Sequence, residues 1–278
     1  MNADVRHYEN FPVASWLCPA RLRPPIAAIY AFARTADDIA DEGDAPAHER
    51  LADLAAMRSD LIAASTGQRG SGRWPHVFDA LATMIAAFHL PVGLLADLLD
   101  AFEQDVVKTR DGAGYETRAE LLDYCRRSAN PVGRLVLHLY GVKDGASQHM
   151  SDNICTALQL INFWQDLGLD IARGRYYLPH EDCAAHGVNM GDLKALRQNR
   201  NTTKLVASQA YMARTTMLNG SQLAKKVPGR AGWELRLVVQ GGLRILDKMA
   251  AMDFATLNAR PKLTARDVPV MLLKAALM

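Results

Sequence analysis

Apolar residues recur along this chain at intervals of three and four, the period of a helix buried on one face. No run of alternating β-branched residues flanked by turn signals suggests a strand. The pattern predicts an all-α protein. A first helix follows Pro24-Pro25, since proline is tolerated in a first turn, and runs to about Asp41, where the EGDAP stretch stops it. Further helices are expected over 46–64, 76–88 and 92–107, with a Gly- and Ser-rich exposed loop at 65–75. Another begins near Arg118 and kinks or breaks at Asn130-Pro131 and Gly133, where a backbone donor is lost and helix preference falls. The helix after it ends near Gly174, and 180–201 reads as loop. Helices at 203–226 and 231–252 and a short final one after Leu263 complete the chain. No fixed-period repeat and no composition shift marks a linker, so 1–278 reads as one domain of helices around a central cavity. The most apolar segment, 81–99, is interrupted by His89, Pro91, Gly93 and Asp97, and reads as two core helices rather than a membrane span.

Two polar stripes stand out against this background. In the segment 158–179, Asn162, Asp166 and Asp170 recur every four residues and share one helical face, while Ile161, Phe163, Trp164, Leu167 and Leu169 between them call for an interior position. Far upstream, Tyr30, Arg34, Asp37 and Asp41 lie four, three and four apart on another face, with Asp38 beside them. A single pair of aspartates at this spacing is usually a solvated helix face. Two pairs set among apolar residues, each with a phosphate-binding partner nearby, point to a site. Oxygen-only donors without Cys or His suit Mg²⁺, which is commonly shared with a substrate phosphate, here a diphosphate. Arg34 is a planar, permanently charged donor for a phosphate oxygen, and its alternative is an intrahelical pair with Asp37 or Asp38.

Composition narrows the picture. Hydrophobic residues make up 49% of 278, enough for a sizeable core, and 32 basic against 30 acidic residues leave a charge too balanced for nucleic acid as the main partner. Cys18, Cys125, Cys155 and Cys183 have no paired spacing and read as reduced buried thiols. The first residues lack a basic leader followed by an apolar run, so no secretory signal and a cytoplasmic location are expected. The amphipathic segment 267–278 either docks on the fold or makes peripheral contact with a membrane. None of the eight histidines has a partner at ligand spacing, and His89 and His138 read as structural.

DDIAD at 37–41 and NFWQDLGLD at 162–170, followed by GRYYLP and preceded by YCRRSANPVG, resemble the squalene/phytoene synthase family of head-to-head isoprenyl diphosphate synthases. HYENFPVASWL, FARTADDIADEGD and NFWQDL resemble, within it, the bacterial hydroxysqualene synthases of hopanoid biosynthesis. The resemblance implies an all-α isoprenoid synthase bundle with a hydrophobic channel and aspartates facing each other across its mouth. It implies Mg²⁺ held by Asp37, Asp41, Asp166 and Asp170 with Asn162 assisting, and Tyr30, Arg34, Gln159, Tyr124 and Arg260 lining or clamping the pocket, Tyr30 and Tyr124 in catalytic roles. Arg175 and Tyr177 match the end of the second motif. Phe11, Tyr30, Phe163 and Trp164 are candidate surfaces for a carbocation. The implied substrate is a prenyl diphosphate: presqualene diphosphate taken to hydroxysqualene with water, or farnesyl diphosphate or a longer homologue condensed in pairs to presqualene diphosphate or phytoene. A non-catalytic assembly factor on the same fold is the remote alternative, disfavoured by the intact aspartates. The glycines form no GxGxxG turn between a strand and a helix, so NADPH is not expected. Two positions depart from the family pattern: Gln165 stands where arginine is common, which suits a site that ionises one diphosphate, and Leu243 stands roughly where reductive members carry tyrosine. Oligomeric state is left open.

Overall fold

The computed structural model describes residues 18–278, so Phe11 and the NFPVAS segment lie outside the described residues. Every element among them is helical. The first four are α1 (Arg23–Asp41), α2 (Ala47–Ser65), α3 (Pro75–Phe88) and α4 (Val92–Asp111). On α1 the buried positions Pro25, Ile29, Phe32 and Ala36 make one stripe, and Tyr30, Arg34, Asp37 and Asp41 make a second, each five residues on and so about 140° round the helix. The first stripe packs into a cluster with Leu54, Met57 and Leu61 of α2, Val77 and Leu81 of α3, and Leu95 and Leu99 of α4. Burying one face thus turns the acidic stripe away from this cluster.

The chain continues through α5 (Arg118–Ser128), α6 (Asn130–Leu139), α7 (Gly145–Gln165) and α8 (Leu167–Ala172). The break expected at Asn130-Pro131 falls at Ala129, between α5 and α6. From Ile154 onward α7 is buried on nearly every side, the signature of a central helix. It is the axis of a second cluster, joined by α11 (Arg200–Gly220) and α13 (Arg230–Ala251). The backbones of α7 and α11 nearly touch: a Cβ on Gly220 would lie 2.5 Å from the Met150 carbonyl oxygen. α4 and α6 face both clusters, Ala101 and Leu137 entering the second while Leu99 and Leu139 enter the first.

Four expectations change. The helix carrying the second acidic motif does not run unbroken to Gly174 but closes at Gln165, and Asp166 lies in the gap before α8. The cause is tertiary. The Gly168 amide donates to the Thr256 carbonyl (3.3 Å) instead of up the helix, and the Leu257 carbonyl oxygen sits 2.3 Å from where a side chain at Gly168 would begin. Leu169, expected in the interior, is 55% exposed on the outer side of this short turn. The loop expected over 180–201 contains α9 (His180–Ala185) and α10 (Met190–Lys194), the latter capped by the Asn189 side chain on the Asp192 amide. The helix expected over 203–226 divides at Ser221–Gln222 into α11 and α12 (Leu223–Lys226), and α14 (Val268–Leu277) ends the fold.

All four cysteines are buried and unpaired, and the His138 Nε2 atom sits 2.9 Å from the Phe88 carbonyl oxygen, a structural contact between α6 and the end of α3. Leu243 is buried in the second cluster. No helix among the described residues is long and apolar enough to cross a membrane, and 81–99 forms parts of two helices joined at Pro91.

Gly168→Ala must push the 256–257 backbone away. It is expected to lower stability by about 1–3 kcal/mol, read as a shift in denaturant midpoint without change in slope.

Candidate active site

The two acidic stripes meet where the clusters adjoin. Asp41, at the end of α1, pairs with Arg175 in the turn after α8, and Arg173 stands 3.8 Å from the same carboxylate. Asp166 is gripped by both nitrogens of the Arg260 fork, with Nη2 at 3.0 Å from Oδ2 and Nε on the other oxygen. Arg34 pairs within α1 with Asp37 (3.2 Å) and Asp38 (2.7 Å). Guanidinium groups are the natural partners here, planar and permanently charged. Among the described residues no three His, Cys, Asp or Glu side chains already converge as a ready-made ion site.

The remaining carboxylates are less well compensated. Burial, with Asp166 nearby, pushes the Asp170 carboxyl up to about 7. Burial also raises Asp37, Arg34 opposing and Asp38 reinforcing the effect. A third helix adds Asp105 of α4, pushed up to about 7 by burial and by the charge of Asp37, against the favourable influence of Tyr124, Arg127 and Lys108. The Tyr124 hydroxyl donates to the Asp105 Oδ2 atom at 2.5 Å. Desolvation and the Asp105 charge hold the Tyr124 and Tyr177 phenols protonated, well above their ordinary range.

Behind these groups lies an aromatic cluster. Phe163 stacks on Tyr177 with centroids 3.7 Å apart, and Tyr115 and Tyr124 surround the pair at about 6 Å. Lys108 sits over the Tyr115 ring at 4.4 Å. Asp105, Lys108, Tyr115, Arg175, Tyr176 and Tyr177 line a small cleft that opens to solvent.

Of the residues singled out in the sequence, Asp37, Asp41, Asp166, Asp170, Arg34, Tyr124, Arg175, Tyr177 and Arg260 come together here. Tyr30 lies one turn before Arg34 on the same stripe; Asn162 and Gln159 lie one and two turns before Asp166, all three partly buried. Gln165 does not face the cleft. It is 4% exposed and its side-chain amide donates to the Pro261 carbonyl at 2.7 Å, fastening the loop that presents Arg260. Trp164 has no exposed surface and Phe163 is covered by Tyr177, so among the described residues the stacked tyrosines rather than these two border the cleft.

Asp105, Lys108, Tyr115 and Arg173 join the site without having been singled out. Asp105 left one trace in the sequence: it continues the apolar line Leu98, Ala101 on α4, a lone carboxylate at a position where a buried residue belongs.

A model of the squalene/phytoene synthase family matches residues 5–267. Hydroxysqualene synthases of Sinorhizobium fredii and Zymomonas mobilis are 35% and 37% identical to this chain, over 90% and 83% of its length and 81% and 75% of theirs. Phytoene synthases match at lower identity. The crystal structure of a squalene synthase from Alicyclobacillus acidocaldarius superimposes with a TM-score of 0.80 at 36% identity, covering 89% of this chain and 90% of that one.

The raised carboxyls set a pH dependence. Between about 4 and about 7 the folded protein keeps protons on Asp105 and Asp170 that the unfolded chain has released. Their contribution to stability is therefore full below the ordinary carboxylate range and is lost as pH rises through about 7. Without divalent cations, Asp105→Asn and Asp170→Asn should each flatten the fall in urea midpoint between pH 5 and 8.

Proposed function

The chain belongs to the squalene/phytoene synthase family, and from that premise we propose that it is a hydroxysqualene synthase, converting presqualene diphosphate and water to hydroxysqualene and diphosphate. The convergence of two acidic stripes and three arginine forks on one aromatic-backed cleft carries this reading. The named hydroxysqualene synthases, similar over most of the chain, support the choice within the family.

The donor set fits magnesium. It consists of oxygens, and Asp37 and Asp170 carry carboxyls whose ionisation the site resists, a deficit of positive charge that a divalent cation would fill. Asp37, Asp41, Asn162, Asp166 and Asp170 would hold Mg²⁺, which when bound supplies Lewis-acid neutralisation of the departing diphosphate. Arg34, Arg175 and Arg260 are bidentate donors suited to its oxygens. As the ester C–O bond breaks, its electron pair leaves with the diphosphate, and the apolar side of the cleft keeps bulk water from the cation. Tyr177, which lines the cleft, offers its ring to that positive charge. When water closes the new C–O bond its proton must leave. Tyr124 takes that proton on its oxygen while passing its own to the Asp105 carboxylate, which is a competent acceptor near neutral pH.

Purified protein incubated with Mg²⁺ and presqualene diphosphate should release diphosphate and hydroxysqualene without NADPH. Consumption of farnesyl diphosphate with no turnover of presqualene diphosphate would instead make it a condensing enzyme. Asp37→Ala and Asp166→Ala should cut diphosphate release by about 10²-fold or more. Asp105→Asn should spare release but slow water capture on the order of 10²-fold, diverting product to unoxygenated hydrocarbons visible by gas chromatography.

A further inference from the structure

The C-terminal helix presents an apolar face that the other described residues leave uncovered. α14 is fixed on α13 along one side. Asp267, buried at its start, pairs with Arg244 (2.8 Å) and Lys248 (2.9 Å), while Arg236 donates to the Ala275 carbonyl and Met271 and Leu263 lie over Gly241. The opposite side carries Val268, Val270, Leu272, Leu273 and Leu277. At about 100° per residue these positions sweep roughly 200° of the helix without a charged residue among them. Leu273 is 63% and Leu277 80% exposed. Lys274 sits on the flank, paired with Asp247. Trp233 of α13 is 47% exposed beside the far end, its ring under the same Arg236 that reaches Ala275. A rigidly mounted, outward apolar face of this width is not what a monomer leaves to water.

Charge identifies the occupant. Residues 223–278 carry ten Lys and Arg against four Asp and Glu, while the preceding 222 residues carry 22 against 26. Lys262 and Arg266 are exposed at the start of α14, and Lys225, Lys226 and Arg230 are exposed near the start of α13, the end from which Arg236 reaches Ala275. An apolar helix face with an exposed tryptophan and cations at both ends matches a helix lying in an anionic lipid surface, its leucines among the acyl chains and its cations at the headgroups. A second copy of this chain would set two strongly basic ends against each other.

The geometry points to α14, with Trp233, as the site by which this protein docks on an anionic membrane. This goes beyond the proposed reaction and holds whichever prenyl diphosphate is used. The loop preceding α14 carries Arg260, which grips Asp166, and Pro261, which Gln165 fastens. Only Lys262 to Asp267 separates the docked helix from the acidic cleft, so docking would hold the cleft close to the lipid phase where largely hydrocarbon substrates dissolve.

Flotation of the full chain with vesicles tests this, using phosphatidylcholine alone and phosphatidylcholine mixed with phosphatidylglycerol. The protein should float with the mixed vesicles, less so as salt rises. Leu272→Asp/Leu273→Asp should reduce binding by more than about tenfold, and Lys262→Glu/Arg266→Glu should reduce it on anionic vesicles only. Thermal melts of both variants should match the parent. The proposal is overturned if the parent floats with neither vesicle, or if both variants float as it does. It is equally overturned if light scattering without lipid shows a dimer that the leucine variant dissociates while flotation is absent.

Discussion

Negative charge crowded into a poorly solvated seam is the constraint around which this molecule is arranged. Asp37, Asp41, Asp105, Asp166 and Asp170 come from three separate stretches of chain, and burial alone makes ionisation of Asp105 and Asp170 costly. Such a group of carboxyls is stable only if opposite charge is brought in or protons are retained. The fold does both. Arginines drawn from the turn after α8 and from the loop before α14 neutralise Asp41 and Asp166, while Asp105 and Asp170 titrate near neutrality and burial raises Asp37. The same arrangement suits a ligand that brings its own cations and its own negative charge, because the arginines can exchange carboxylate for phosphate oxygen at little geometric cost.

That seam depends on a backbone irregularity. If α7 continued through Asp166 without interruption, Thr256 and Leu257 could not lie against Gly168, and the loop bearing Arg260 would have nowhere to seat. The glycine between the two aspartates of the second motif is therefore part of the site, although it carries no side chain. Gln165 completes the fastening from the other side through the Pro261 carbonyl. A residue that the family pattern suggested for substrate contact thus acts on the loop that carries the fork.

What the sequence made legible follows from periodicity. The stripes at 30, 34, 37, 41 and at 162, 166, 170 could be read because neighbours on a helix surface are close in sequence, and the break at Asn130-Pro131 because proline acts locally. What stayed hidden was decided by contacts distant in the chain. Arg260 meets Asp166 across 94 residues, and the close of α7 at Gln165 is imposed by a loop some ninety positions later. Asp105 belongs to no spaced pair, so its partnership with Tyr124, 19 residues on, appears only once α4 and α5 are packed together. The small helices at 180–194 are short enough that caps and local turns, rather than an apolar stripe, define them.

The presence of two apolar clusters has a mechanical consequence. α1 is anchored in one and α7 in the other, with α4 and α6 as the shared wall and Tyr140 touching both. Each half of the acidic site is accordingly welded to a different rigid block, and the gap between the halves is a property of how the blocks abut. A slide of either block by a fraction of an ångström, of the kind that a methylene gained or lost deep in the packing produces, would alter the spacing between the two aspartate pairs while leaving every local bond within each block intact.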